Sequence, residues 1–377
     1  MNKKLFCIIC LLWLYLHIHK SIIPFVLENY GDNNGVHINA HGGGFIFYNN
    51  KYYWFGEHKI EGEKGNYAQV GVHCYSSSDL YNWNDEGIAL KVSSEPNSDI
   101  AQGCILERPK VIYNPNTKKF VMWFHLEPKG KGYTGALSGI ATANKITGPY
   151  TFIRSTRTTP GCYPVNVLDL HKCPVKQSTI DKKLYGGGLN GEHPDTLNIL
   201  GRNFKEGQMA RDMQLFVDDN GKAYHIFASE TNSTIHIAEL TDDFLDYTGK
   251  YVRAFVNRYM EAPAFSKRTD YIILWVLVVP DGNLMQRVVL SLLPYGDHGQ
   301  NWAILAKGKI AKPLFTRKVL ISFQCPVEKN VFIYIGDRWN PQNAIDGRYI
   351  WLPIDFQDNR FNIHWHNEWD LKYFDCK

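Results

Sequence analysis

A hairpin unit headed by a polar residue recurs along this chain, and it restricts the fold more than any other feature. Its clearest copy begins at Asp212. Apolar residues alternate through 213–217, residues 218–221 supply a turn of Asp, Asn and Gly, and an apolar strand returns through 223–228. Three further segments repeat the order of polar head, apolar strand, polar turn and aromatic strand. Their heads are His41, Glu107 and Glu261.

An irregular repeat of such hairpins is typical of an all-β propeller, in which the inner strands of all blades converge on one axis. Polar heads that lie far apart in sequence would then meet in one central pocket. We therefore treat the four heads as one candidate site, although each alone is equally well explained as an edge-strand or turn residue. Residues 30–377 are long enough for one such domain.

The composition excludes several classes of function. A net charge of +4 is too small to indicate nucleic-acid binding. The 22 Tyr, 20 Phe and 10 Trp suit both β packing and stacking against sugar rings. Beyond the N-terminus the cysteines are scattered without a CxxC pair, so we predict no metal site, and no ligand set identifies a calcium ion. The oligomeric state is not predictable from the sequence.

The N-terminus carries the pattern of an export signal. Lys3 and Lys4 precede an apolar run from Leu5 to Leu16 that is too short to span a bilayer as a helix. We predict a signal peptide over residues 1–20, a secreted or periplasmic protein, and no membrane span in the mature chain.

Residues 154–206 interrupt the repeat with a polar, Gly-rich insertion. We predict a loop on one face of the propeller that borders the site. Cys162 and Cys173 could close a disulfide within it in an exported protein. Asn232 begins a formal glycosylation sequon.

Taken in order, eight segments resemble glycoside hydrolase family 43, in particular its exo-β-1,3-galactanase-like members. The resemblance covers residues 35–271 and resumes over 327–371. It implies a five-bladed β-propeller and an inverting glycosidase. The segments are INAHGGG, YYWFGEHK, CYSSSDLYNW, ERPKVIYN, TGPY, ARDMQLFVDDNGKAYHIFASE, EAPAFSKR and GDRWNPQNAIDGRYIWLPI.

The resemblance also implies roles for three carboxyls. Inverting hydrolysis needs a general acid and a base that activates water on the opposite face of the sugar. Glu261 in EAPA corresponds to the proton donor, and Asp212 in ARDM to the acid that orients it and modulates its pKa. Glu107 in ERPK corresponds to a carboxylate that binds galactose hydroxyls or serves as the base. The candidate substrate-binding residues are His41, Glu57, Arg211 and Trp339.

The resemblance does not identify the catalytic base. Many family 43 enzymes carry an Asp at the head of the first blade, where this chain has Asn39-Ala40-His41. In the galactanase-like branch a Gln in a fifth-blade SQST motif has this role, and the motif is absent here. Gln324 lies in a different context, immediately before Cys325.

The tract over about 275–325 departs from the pattern, so we expect an atypical fifth-blade region. It contains two acidic and six basic residues and lacks the hairpin order. We favour a compensated frameshift in the gene over rapid divergence of a peripheral strand. Translation of the coding DNA in the other two frames distinguishes these hypotheses.

Three functional hypotheses follow. The first is an exported exo-acting glycosidase that releases galactose from β-1,3-galactan, with arabinan or xylan as alternative substrates. The second is a non-catalytic carbohydrate-binding propeller, and the third is an inactive product of a frameshifted gene. The partner in the first two is an oligosaccharide or polysaccharide, and no cofactor is expected.

Overall fold

Successive antiparallel strands form radial sheets in the computed structural model, and each sheet is built from consecutive chain segments. The structure describes residues 23–24, 31–167, 172, 203–256, 258–268, 271–278, 288–294, 306–307, 309–310, 320–324, 331–357 and 360–375. The strands are β1 (Ile23–Pro24), β2 (His41–Tyr48), β3 (Lys51–Glu57), β4 (Gly71–Ser77), β5 (Asn84–Lys91), β6 (Ile105–Asn114), β7 (Lys119–Glu127), β8 (Leu137–Ala143), β9 (Thr151–Thr156), β10 (Met213–Val217), β11 (Ala223–Ser229), β12 (Thr234–Leu240), β13 (Tyr247–Ala254), β14 (Met260–Arg268), β15 (Tyr271–Val278), β16 (Val288–Pro294), β17 (Ala306–Lys307), β18 (Lys309–Ile310), β19 (Leu320–Gln324), β20 (Phe332–Arg338), β21 (Arg348–Gln357), β22 (Arg360–Ile363) and β23 (Glu368–Trp369). Short 3-10 helices span Ala344–Asp346 and Leu371–Phe374.

Four sheets have four strands each in simple chain order, namely β2 to β5, β6 to β9, β10 to β13 and β14 to β17. This is the arrangement of a propeller blade. The hairpin that the sequence indicates at Asp212 is confirmed, because β10 and β11 pair antiparallel around the turn at residues 218–221. The predicted all-β propeller is likewise confirmed.

The last sheet is not a regular blade, so the described residues contain four blades and not the five that the family resemblance implies, and the departure lies in the fifth-blade region that we expect to be atypical. Its strand order is β18-β22-β21-β20-β19, and β18 pairs with β22 in parallel. The departure has a local cause, since β18 is contributed by the basic tract over 275–325 and pairs over only two residues. The same tract also supplies strands to the fourth sheet, although the sequence shows no hairpin order there.

The first strands of the four regular sheets and the edge strand β19 of the last sheet contact one another in a ring. These contacts join β2 to β6, β6 to β10, β10 to β14, β14 to β19 and β19 to β2. The starts of these strands carry the polar heads that the sequence singles out. The fold therefore brings heads that are up to 220 positions apart towards one axis. His41 is the first residue of β2, and Glu261 is the second residue of β14.

Apolar clusters fill the spaces between neighbouring sheets. One joins the first sheet to the last through Trp54, Trp83 and Trp351, whose rings lie 5.5 to 6.3 Å apart in edge-to-face contact. Others lie between the first and second, second and third, and third and fourth sheets. Burial of one large apolar side chain stabilises a fold by about 1.5–3 kcal/mol, so these clusters hold the sheets in place.

A side chain of the last sheet fastens it to the first. The hydroxyl of Tyr349 donates to the carbonyl of Ile38 at 2.9 Å and accepts the N–H of Ala40 at 2.8 Å. In addition, β1 pairs with β23, which joins segments near the two ends of the chain. The ring is therefore closed by polar contacts as well as by apolar packing.

Several predictions fall outside the described residues. The signal peptide over 1–20 and the start of the domain at residue 30 lie there, as does Cys173. Part of the insertion over 154–206 also lies outside the described residues, whereas its first residues belong to β9. No helix among the described residues is long and apolar enough to cross a membrane.

Candidate active site

Three of the four predicted heads begin a β-bulge of the same kind. The strand register shifts between His41 and Gly44, between Glu107 and Lys110, and between Glu261 and Ala264. A bulge bends its strand and redirects side chains, and here it directs three heads into one cavity.

The sequence of each bulge explains its shape. The residue after each head has a positive φ, at 59° for Gly42, 57° for Arg108 and 49° for Ala262. Glycine tolerates this conformation, whereas the other two residues are strained in it. The next position is Gly43, Pro109 or Pro263. Proline lacks an N–H donor, so it fits a position where the ladder is interrupted.

One cavity of about 430 Å³ lies at the heads of the inner strands. All seven predicted site residues line it, so the constellation inferred from the sequence is brought together. The predicted residues are His41, Glu57, Glu107, Arg211, Asp212, Glu261 and Trp339, and the cavity is also lined by Gly42, Lys59, Asn66, Arg108, His125, Tyr133, Asn232 and Asp337.

The two carboxylate oxygens of Asp212 bind the residues that follow two other heads. Oδ1 accepts the Nε–H of Arg108 at 2.7 Å, and Oδ2 accepts the backbone N–H of Ala262 at 3.1 Å. Burial alone would lower the pKa of Arg108, but Asp212 together with Glu57 and Glu107 raises it, so the guanidinium stays charged. Asp212 is therefore paired with Arg108, and not with the adjacent Arg211, whose guanidinium donates to the carbonyl of Tyr133 at 2.8 Å.

Glu261 is held by an asparagine from the third sheet. Nδ2 of Asn232 donates to Oε1 of Glu261 at 2.8 Å. Asn232 ends a run of three residues with positive φ, preceded by Glu230 at 51° and Thr231 at 60°. Consecutive residues in this conformation cost free energy, and such strain is found where a side chain must be held in one place. The residue that the sequence marks as a glycosylation sequon is thus a partner of Glu261.

Glu107 lies at the end of a chain of buried polar groups. Its Oε2 lies 3.2 Å from Nδ1 of His125, whose Nε2 lies 3.0 Å from Oε1 of Glu127. Its Oε1 accepts the hydroxyl of Tyr133 at 2.7 Å, and the other oxygen of Glu127 accepts the N–H of Ala136 at 2.9 Å.

These contacts fix the charges along the chain. Burial alone would lower the pKa of His125, but its bonds to Glu107 and Glu127 raise it to about 9. Burial alone would raise the pKa of Glu107, but the hydrogen bond and charge of His125 lower it, with help from Lys59 and Arg108. At neutral pH His125 is therefore an imidazolium and Glu107 a carboxylate.

Lys59 adds a further cationic group to the cavity wall. Lys59 forms a salt bridge of 2.5 Å with Oε2 of Glu57 and donates to Oδ1 of Asn66 at 2.9 Å. Oε1 of Glu57 accepts the backbone N–H of Arg108 at 2.8 Å, which links the first and second sheets. The Lys59 ammonium also lies 5.5 Å from the ring centre of Trp339, within the range of a cation–π contact.

His41 presents a neutral ring to the cavity. Burial, followed by the charge of Lys59, lowers its pKa well below the usual value. Its ring stacks obliquely on Tyr349 at 5.3 Å, and neither ring nitrogen has a hydrogen-bond partner among the described residues. A buried polar atom without a protein partner is suited to meet a polar group of a ligand.

The chain is similar to several solved structures. Neither the family models nor the curated proteins provide a match to the sequence. Among solved structures, a family 43 β-1,3-galactosidase bound to galactodeoxynojirimycin is 40% identical, with a TM-score of 0.80 over 93% of this chain and 100% of that one. This chain belongs to glycoside hydrolase family 43.

Two further family 43 relatives are exo-β-1,3-galactanases with similar folds. The enzyme from Phanerochaete chrysosporium, solved as a variant with β-1,3-galactotriose, is 25% identical with a TM-score of 0.70, over 93% of this chain and 68% of that one. The enzyme from Clostridium thermocellum is 27% identical with a TM-score of 0.71, over 92% and 66%. The family 43 chain described here is accordingly a glycosidase.

Sequence reasoning named Glu57 but missed the rest of a second ring of acids in this family 43 chain. Each of these acids lies within one residue of the end of the strand that follows the inner strand of its sheet and is at most 7% exposed. A signal was present in these four sheets, because in each of them a small residue or Leu directly precedes the acid. These acids are Glu57, Glu127, Glu230 and Asp337.

Asp337 is the member of this ring that lines the cavity without a cationic partner among the described residues. Its Oδ2 accepts the N–H of Gly42 at 2.6 Å. Burial raises its pKa to about 7, although the Gly42 N–H and the charge of Arg108 oppose the shift. It can therefore change its protonation near neutral pH.

No group of three or more His, Cys, Asp or Glu in the described part of the chain is arranged to hold a metal ion. The turn at residues 218–221 instead carries a salt bridge from Lys267 to Asp218 at 3.1 Å, as suits a hairpin turn.

Proposed function

We propose that this family 43 glycosidase is an exo-acting, inverting β-1,3-galactosidase that releases galactose from arabinogalactan-type polysaccharide. The observation that supports the substrate is the 40% identity to a β-1,3-galactosidase over nearly the whole chain. A cavity of about 430 Å³ suits the terminal sugar of a chain.

Glu261 is the general acid in this proposal. Asn232 donates to Oε1 of Glu261 and so orients the carboxyl that protonates the departing oxygen. Asp212 acts on the donor through the N–H of Ala262, which fixes the bulge behind Glu261.

Glu107 binds sugar hydroxyls in this proposal and does not activate water. A carboxylate whose pKa is lowered by an adjacent imidazolium is a weak base but a strong hydrogen-bond acceptor. This reasoning selects one of the two roles that the family resemblance leaves open.

We also propose that the last sheet completes a five-bladed ring and that the protein is exported. Contacts of β19 with both β14 and β2 support the first point. The basic and apolar N-terminal sequence supports the second, and N-terminal sequencing of protein recovered from the medium or periplasm tests it.

Hydrolysis by Glu261→Gln tests the proposal. We expect cleavage of β-1,3-galactobiose to fall about 10²- to 10⁴-fold, because general acid catalysis contributes that much. Hydrolysis of 2,4-dinitrophenyl β-galactoside should fall far less, because its leaving group needs no proton.

The control is binding of galactose to the same variant, which should be retained. A wild-type chain that binds galactose but releases none from either substrate would contradict the proposal and favour a carbohydrate-binding propeller. A chain that neither binds nor cleaves would favour the inactive product, and cleavage of arabinan or xylan alone would reassign the substrate.

A further inference from the structure

Five carboxyl groups line the cavity, namely those of Glu57, Glu107, Asp212, Glu261 and Asp337. Three of them are each bonded to a cationic group. Glu57 is bound by Lys59, Glu107 by His125 and Asp212 by Arg108. A carboxylate neutralised in this way is poorly suited to take a proton from water, because proton uptake would break the ion pair.

Asp337 differs in its partners and in its place. Among the described residues it has one hydrogen bond, from the Gly42 N–H to Oδ2, so Oδ1 has no protein partner there. It is 7% exposed and contributes to the cavity wall. Its carboxyl combines burial with an oxygen that is open to a bound water.

Asp337 and Glu261 reach the cavity from different sheets. Glu261 lies on β14, whereas Asp337 lies on β20 and is bonded to β2 through Gly42. The inner strand β19 lies between β14 and β2 in the ring. The two carboxyls therefore enter the cavity from separate sheets, and inversion requires them to flank the anomeric carbon on opposite faces of the sugar.

We propose that Asp337 is the catalytic base that activates water in this enzyme, a role that rests on the proposed galactosidase function. Oδ1 of Asp337 accepts a proton from water as the water oxygen bonds to the anomeric carbon. The bond from that carbon to the glycosidic oxygen breaks, and Glu261 supplies the proton that this oxygen takes up. A pKa near 7 suits the role, since a base is most effective when its pKa is close to the working pH.

The test compares Asp337→Ala and Asp337→Asn with the wild type on 2,4-dinitrophenyl β-galactoside, with and without sodium azide. Both variants should lose about 10²- to 10⁴-fold in kcat. Azide needs no base, so it should restore turnover in Asp337→Ala and yield α-galactosyl azide, which NMR identifies. A variant within about tenfold of wild-type kcat, or an azide-treated Asp337→Ala without the α-azide, would overturn the role.

The asparagine variant keeps the test valid if the alanine variant does not fold. Asn retains an oxygen for the Gly42 N–H and carries no charge. The folded-state pKa of Asp337 is raised, so the wild type loses stability as pH rises from about 4 to about 7. Asp337→Asn should therefore have a higher Tm than the wild type at pH 8 and a similar Tm at pH 4.5.

The outcomes separate the two proposals. An active wild type with an equally active, folded Asp337→Asn overturns the role of Asp337 alone. A wild type without galactosidase activity overturns the proposed function and this role with it. Lost kcat with retained galactose binding in the stable Asp337→Asn supports the role.

Discussion

At the scale of single residues, the carboxyls around the cavity are of one chemical kind but differ in their partners. Imidazolium, guanidinium and ammonium groups bind three of them, whereas Asn232 binds Glu261 and a backbone N–H binds Asp337. Pairs of titratable groups whose surroundings separate their pKa values are the basis of acid and base assignments in glycosidases. The sequence names four of these side chains and misses Asp337, and it does not reveal most of their partners, because those partners come from another strand or another sheet.

His125→Gln tests the charge assigned to the chain behind Glu107. The raised folded-state pKa of His125 contributes stability that is fully present below about pH 6.5 and is lost as pH rises through about 9. The wild type should therefore lose on the order of 2 kcal/mol in unfolding free energy across that window, and the variant should lose much less.

The same variant should raise KM for β-1,3-galactobiose more than it lowers kcat, because Glu107 would lose the group that fixes it as an acceptor. Denaturant titrations from pH 6 to 9.5 and steady-state kinetics measure both effects. Parallel stability curves for the wild type and the variant would show that His125 is neutral in the fold.

At the scale of elements, the shared bulge is the feature that makes heads from separate strands converge. Its sequence is readable afterwards in HGGG, ERPK and EAPA, where a head is followed by a residue with positive φ and then by Gly or Pro. The hairpins and heads were predictable because alternation and turn residues are local signals. The bulges were not, since a Pro or Gly two residues after an acid is explained equally well by an ordinary turn.

Gly43→Ala tests the first bulge. A Cβ at this position would lie 1.8 Å from the carbonyl oxygen of Phe55, so β2 and β3 would have to separate. We expect a loss of about 3 kcal/mol in unfolding free energy and lower activity. Gly35→Ala is the matched control, because its Cβ would meet nothing within 4 Å and its φ of 78° costs about 1 kcal/mol alone. Equal losses in the two variants would remove the steric argument.

At the scale of the whole molecule, closure of the ring determines whether the cavity exists. Residues 275–325 lack hairpin order in the sequence but contribute strands to the fourth and last sheets, because neighbouring strands offer pairing partners that the local sequence does not reveal. The count of five blades, implied by the family resemblance, was wrong for the described residues for the same reason, and the difference falls in the region expected to be atypical. Packing of the last sheet against the first depends on contacts between distant parts of the chain that no local pattern encodes.

Tyr349→Phe tests the closure. Loss of the hydroxyl would leave the Ala40 N–H and the Ile38 carbonyl buried without their partner, which should cost about 1–3 kcal/mol. Tyr67→Phe is the control, because Tyr67 is 43% exposed and should change stability by less than about 0.5 kcal/mol. Thermal and denaturant unfolding measure the stability of both variants. An unchanged unfolding midpoint in Tyr349→Phe would show that the hydrogen bonds of this hydroxyl do not hold the ring closed.

The central claim is that acid and base lie on opposite faces of a galactose in one propeller cavity. Proton NMR during cleavage of β-1,3-galactobiose by the wild-type chain tests it most directly, because it records the anomer of galactose before mutarotation. The account predicts that α-galactose appears first. First appearance of β-galactose, or no galactose at all, would contradict it.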